Sequence, residues 1–182
     1  DANGIPDQLD ILLGAIKLTH NKASYDPAYF DMKYPNGDAP AGKGVCTDVI
    51  IRAMRNAGYD LQQLIHTEIK RYGRTYLAVK KPDYRIDHRR VRNMIVYFKR
   101  HYRLLDRGIT PANRHTYRPG DIVFMDTLPQ KGPDHVGIVA DTQSAKGYPH
   151  VINNWTTGYV TSRMELLPEI PVTHHFRIES PR

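Results

Sequence analysis

Behind Pro6, the apolar residues Leu9, Leu12, Leu13 and Ile16 recur at helical spacing, and the pattern over residues 5–20 predicts an amphipathic helix that the proline opens. The periodicity then stops. Residues 21–43 are polar and rich in Tyr and Pro, which reads as a loop. A second helix is expected over 46–57, where Val49, Ile50, Ala53, Met54 and Ala57 share one stripe and Gly58 stands just past the end as a stop. A third covers 61–72. A fourth covers 88–102, with Asp87 as its N-cap, Val91, Met94, Ile95, Phe98 and Tyr102 facing inward, and the arginines facing out.

Past Pro119-Gly120 the period shortens to that of strands. Apolar runs at 121–125, 135–140, 150–153, 159–164 and 172–178 are separated by turn residues at short intervals, as in an antiparallel meander. Helices first and strands later, without alternating βα units, is an α+β order. The expected fold is an N-terminal helical half, the cysteine helix included, packed on a C-terminal antiparallel sheet or small barrel. No repeat or linker divides the chain, and 182 residues suit a single domain over 1–182, since domains usually hold about 100–200.

Composition narrows the function classes. With 40% apolar and 25% charged residues the chain has the make-up of a soluble globular protein, and no apolar run approaches the roughly 18 residues of a membrane span. A net charge of +7 comes largely from one place: residues 89–107 hold seven bases (Arg89, Arg90, Arg92, Lys99, Arg100, Arg103, Arg107) against Asp106. That run reads either as a solvated helix face or as a surface for an anionic polymer. No nucleic-acid-binding motif accompanies it, so a specific nucleic-acid partner is not expected. The single cysteine excludes an intrachain disulfide and any multi-cysteine zinc site.

That cysteine, Cys46, follows Gly42-Lys43-Gly44-Val45 and opens the second helix. There it meets unpaired backbone N–H groups and the positive end of the helix dipole, which favour thiolate; equally, it is a small apolar residue on an apolar stripe. Gly42-Lys43-Gly44 is no phosphate-binding loop, because no strand precedes it. His135 begins an apolar strand, with Gly137 two positions on and on the same face. It is either a structural histidine or the base for a thiol. A hairpin turning near Ser144-Ala145 brings residue 135 beside residue 154, give or take one, so Asn153 or Asn154 lies next to the ring as its orienting group, unless the two are plain turn formers. Asp48, about 200° round the helix from Cys46, reads as a first-turn helix acid or a substrate contact, and Asp87-His88 as a cap with its neighbour or a substrate contact. His174 and His175 alternate faces without a third ligand, so neither a metal nor another cofactor is expected.

The succession Gly-Val-Cys-Thr-Asp, His-Val-Gly-Ile-Val and Val-Ile-Asn-Asn, followed by Thr-Gly-Tyr-Val-Thr, resembles the papain-like NlpC/CHAP superfamily of cell-wall hydrolases. It is most similar to the YijF-like branch, domains of unknown function (DUF1287). Tyr34-Pro35-Asn36-Gly37-Asp38, Arg52 and Ile86-Asp87-His88-Arg89-Arg90-Val91 look like motifs of that branch, and the similarity runs over nearly the whole chain. The resemblance implies a papain-like fold and a cysteine amidohydrolase or peptidase that cleaves an amide bond of peptidoglycan, or a related cell-wall peptide, through an acyl-enzyme. Cys46 would be the nucleophile, His135 the general base and acid, and Asn153 the orienting residue, at a place where the branch commonly has His. Tyr34, twelve residues before Cys46, would polarise the substrate carbonyl together with the Cys46 N–H. Asp48, Asp87, His88, Asn154 and Trp155 are candidate substrate contacts, and Tyr159 is a candidate cleft wall. A periplasmic or secreted location is implied; a chain starting at Asp1 suits removal of a signal peptide and equally a trimmed chain. The alternative is a catalytically silent cell-wall-binding or partner-binding module that uses the cleft and the basic helix.

Overall fold

The computed structural model, which describes residues 3–77, 79–128 and 132–179, is an α+β chain with four α-helices and an antiparallel sheet. Helix α1 (Asp7–Asn21) starts where the Pro6 carbonyl accepts the N–H groups of Leu9 and Asp10, as a helix-opening proline requires. Its buried row is Ile11, Leu12, Ala15 and Leu18, whereas Leu9 and Leu13 are exposed. The buried face is rotated from the expected stripe: Leu12 lies inside and Ile16 packs partly against the core, while Leu9 and Leu13 face out. Helix α2 (Cys46–Asn56) approaches α1 so closely that a Cβ on Gly14 would lie 2.8 Å from the Asn56 Cβ and 3.0 Å from the Ala53 Cα. Small residues, not leucines, set that contact.

Helix α2 stops as expected. Gly58 takes a left-handed φ of 86°, and its N–H and that of Tyr59 close on the carbonyls of Arg55 and Met54. Helix α3 (Leu61–Tyr72) follows, capped by the Asp60 carboxylate on the Gln62 N–H. The fourth helix is shorter than its pattern. A separate 3-10 turn covers Asp87–Arg89, and α4 (Val91–His101) has Arg90 at its N-cap without a side-chain cap. Asp87 is not that cap; its carboxylate instead accepts the N–H of Asp83 and its carbonyl accepts the Asn93 amide. Nor do all the arginines face out, since Arg89 is buried.

The loop over residues 21–43 contains one piece of order the pattern hid. The two-residue strands β1 (Ser24–Tyr25) and β2 (Lys43–Gly44) pair in parallel, Tyr25 opposite Gly44. The main sheet holds β3 (Arg103–Leu105), β4 (Ile122–Met125), β5 (His135–Gln143), β6 (Pro149–Asn153), β7 (Ser162–Met164) and β8 (Val172–Arg177). Their spatial order is β3-β8-β4-β5-β6-β7, so β4 to β7 form the expected meander while β8 returns to the far side of β4 and β3 pairs beyond it. Among the described residues it is an open sheet with β3 and β7 at its edges, and not a barrel. The run at 159–164 yields strand only from Ser162; before it, Gly158 sits in a left-handed turn and Val160 makes a single bridge to Ser24.

Both faces of the sheet are covered, and β4 is buried along its whole length. Ile122 and Phe124 join the helical core of Ile50, Met54 and Phe98, while Val123 and Met125 meet Tyr117, Leu166 and Leu167 on the opposite face. The first face places the N-terminus of α2 against the start of β5.

Candidate active site

Cys46 occupies the first position of α2, where the chain leaves β2 through Val45. The turn is clamped by reciprocal bonds: the Val45 N–H donates to Asp48 Oδ2 at 2.7 Å, and the Asp48 N–H donates to the Val45 carbonyl at 3.0 Å. Gly44 admits this clamp, because a Cβ there would stand 3.0 Å from that of Asp48. Cys46 is 7% exposed. Burial pushes its thiol up to about 12, and Asp48 adds to the rise, while backbone hydrogen bonds from Val136 and Thr47 lower it. The helix terminus therefore does not by itself make a thiolate. The bond from Val136 sets the sulfur beside the second residue of β5.

The first of those residues is His135, 4% exposed and paired in register with Met125. Its Nε2 lies 3.1 Å from Asn153 Oδ1. The Asn153 amide nitrogen donates to the Val151 carbonyl at 3.2 Å, which fixes which amide atom faces the ring. An amide oxygen only accepts, so Nε2 carries the proton and Nδ1 is left with a free lone pair. Burial lowers the pKa of His135, against weaker opposing effects of Asn153 and Asp134, and so favours the neutral ring. Trp155 packs edge-on to the ring, 4.8 Å between centroids. Gly137 makes the approach possible: a Cβ there would lie 2.3 Å from Val151 Cγ1 and 3.3 Å from the Asn153 Cβ. Its role is to let β6 close in, not to leave open space beside the histidine.

The hairpin register falls within the one-residue margin of the expectation, since Ile138 pairs with Ile152 and Val139 with Val151. It separates the two asparagines. Asn154 turns away from His135 and donates to the carbonyls of Ala23 and Gly44, at 3.0 and 3.2 Å. It ties the β1 and β2 loops to the sheet through its amide nitrogen.

A cavity of about 220 Å³ opens at Cys46, walled by Tyr25, Pro27, Ile86, Arg89 and Asp134 among others. Several expected contacts lie elsewhere. Tyr34, 40% exposed, rests on His66 and Tyr84 with both centroid distances at 5.3 Å and is absent from the cavity wall. Tyr25 stands in the cavity instead, close enough to Cys46 that the thiolate charge, after burial, raises its pKa. Its N–H donates to the Tyr159 carbonyl, while the Tyr159 side chain is exposed and forms no wall. Asp87 and His88 are buried behind the cavity, which is lined by their neighbours Ile86 and Arg89. Burial raises the pKa of Asp87 and drives that of His88 down to about 4.

Asp48 is likewise committed. Its oxygens take Arg89 Nε and Nη2 at 2.9 Å each, with both side chains only 2% exposed. Arg89 Nη1 reaches the Ala28 carbonyl at 2.9 Å, and the Arg89 carbonyl accepts from Thr47 Oγ1 at 3.0 Å. One guanidinium thus joins the cysteine helix to the wall that carries Tyr25. Asp134 lines the same cavity, held by the N–H and hydroxyl of Thr127 at 2.8 and 2.7 Å. Sequence gives Tyr25 and Asp134 no role and Arg89 none beyond a family motif: Tyr25 sits in a loop, Arg89 in a run of bases, and Asp134 beside a more conspicuous histidine.

Comparison with known proteins places this chain in a family. Residues 12–178 match the domain of unknown function DUF1287. The chain belongs to that family. It is 39% identical over 153 residues to the uncharacterized protein YijF of Escherichia coli (strain K12), a stretch that covers 82% of this chain and 72% of the relative. No solved structure matches. This DUF1287 chain therefore acquires a family from the comparison but no activity, and its chemistry rests on the cavity around Cys46.

Proposed function

We propose that this DUF1287 protein is a papain-like cysteine amidohydrolase or peptidase of the NlpC/CHAP type that cuts an amide bond of peptidoglycan or a related cell-wall peptide in the periplasm or outside the cell. The observation that carries the reading is the Cys46, His135 and Asn153 constellation: a thiol on a helix N-terminus, against a strand whose neutral histidine is held by an asparagine oxygen. In this reading His135 Nδ1 takes the Cys46 proton as sulfur adds to the substrate carbonyl. Tyr25 and the Cys46 N–H hold the oxyanion, so Tyr25 fills the role expected of Tyr34. The imidazolium then protonates the leaving amine. Water, activated by the same ring, releases the acyl group and regenerates the thiol.

The elevated thiol is compatible with this sequence, because the proton moves as attack occurs and no standing thiolate is required. The same elevation favours the second reading, a silent wall-binding module whose cleft retains a buried cysteine. Digestion of purified peptidoglycan by wild type and Cys46→Ala, with products read by mass spectrometry, separates the two. New amine termini released by wild type alone support hydrolysis; indistinguishable product profiles favour the binding module.

A further inference from the structure

We infer that Arg89 determines the specificity of the cleft by taking a carboxylate that the substrate carries beside the scissile amide. The inference rests on the hydrolase reading for the word scissile, and on geometry for the rest. Arg89 lines the same cavity as Cys46 and Tyr25, yet its side chain is almost wholly withdrawn from solvent. A guanidinium carries five N–H bonds. Nε and one N–H of Nη2 serve Asp48 and one N–H of Nη1 serves Ala28, which leaves two without an acceptor among the described residues. Asp48 holds the group rigid from behind, and the Phe30 ring lies 5.2 Å from its central carbon. A buried, pre-oriented guanidinium with unused donors on the wall of a small cavity is suited to an anion.

The remaining walls sharpen the choice. Arg89 is the base and Asp134 the acid of a cavity otherwise lined by Tyr, Thr, Cys and apolar side chains. A carboxylate is drawn to the Arg89 wall and repelled from the Asp134 wall, so the pair fixes the direction in which an acidic peptide lies across Cys46. The substrate class is therefore a peptide with a free carboxylate next to the cleaved bond, at its chain end or on a side chain.

The test is binding to 15N-labelled Cys46→Ala, which cannot turn over, followed by NMR. The probes are N-acetylalanine (a chain-end carboxylate), N-acetylglutamic acid α-amide (a side-chain carboxylate) and neutral N-acetylalanine amide. Saturable shifts at Arg89 and its cavity neighbours are expected with one or both acids, and at least about tenfold weaker binding with the amide. Whichever acid binds more tightly identifies the source of the carboxylate. Arg89→Gln should abolish the preference. Should that variant fail to fold, Asp134→Asn, which keeps the size of the side chain, must tighten the acids and leave the amide unchanged. Equal binding of acid and amide, shifts confined to another surface, no saturable binding, or no gain from Asp134→Asn overturns the inference. A preference for the acids with no cleavage of peptidoglycan would defeat the hydrolase reading and leave the carboxylate site standing.

Discussion

Asn153 accepts from His135 while Asn154 donates to two loop carbonyls, so the same substitution at adjacent positions should have opposite signatures. Asn153→Ala frees the ring, and under the proposed chemistry turnover falls by about ten- to a hundredfold, part of the roughly 10²–10⁴ that a positioned base contributes. Asn154→Ala leaves the carbonyls of Ala23 and Gly44 without that donor and costs about 1–3 kcal/mol in urea denaturation. Tyr25→Phe should lower kcat by about 10²–10³ as a lost oxyanion donor, whereas Tyr34→Phe should leave it near wild type. A kinetic comparison on one cleaved peptide checks both. Sequence pattern put Cys46 at the start of a helix and His135 at the start of a strand, and brought Asn153 beside His135 within one residue through a hairpin whose turn fixes the sum of its partners. It could not choose between adjacent asparagines, because one step of register reverses the face a side chain points to. The resemblance pointed to Tyr34, which lies off the cavity wall where Tyr25 stands, because twelve residues of irregular loop define no distance in space.

Elements with a long period were read well and elements made by pairing alone were not. The helices and the strands β4, β5, β6 and β8 carry their own apolar patterns. Strands β1, β2 and β3 span two or three residues each and exist only through partners distant in sequence. Arg89 was lost for a related reason, since a run of bases predicts a wet face and nothing local reveals an aspartate 41 residues away. That pair is the structural joint between α2 and the 3-10 turn. Arg89→Met alone strands a buried carboxylate and should cost about 3–5 kcal/mol, while Asp48→Leu/Arg89→Met should recover much of it, which a double-mutant cycle measures. At the hairpin, Gly137→Ala should destabilise by about 1–3 kcal/mol, because its Cβ would press into Val151 on β6.

Across the whole molecule the +7 surplus is less concentrated than the sequence suggests. Arg89 is buried on Asp48, Arg100 and His101 share Glu68, and Arg103 meets Glu179, so part of the basic run is answered by acids from other elements. Among the described residues no helix is long and apolar enough to cross a membrane. Burial also leaves a pH signature. His88 and His174 are both lowered to about 4 and His135 is lowered as well, so the unfolded chain binds more protons than the native one between about pH 4 and the ordinary histidine value. Their stabilising effect is complete above about pH 6.5 and is lost as pH falls toward about 4, by at most about 1.4 kcal/mol per pH unit for each histidine. Denaturation midpoints across that range should show the decline, and His88→Gln should make it shallower. The central claim, that His135 activates Cys46, is tested most directly by the rate at which iodoacetamide alkylates this sole cysteine as a function of pH. Wild type should rise through the lowered His135 pKa to a plateau at neutral pH, and His135→Ala should react about 10²–10⁴-fold more slowly at pH 7 and climb steadily into the alkaline range. Superimposable profiles for the two proteins would show that Cys46 acts as an unassisted buried thiol and would contradict the account.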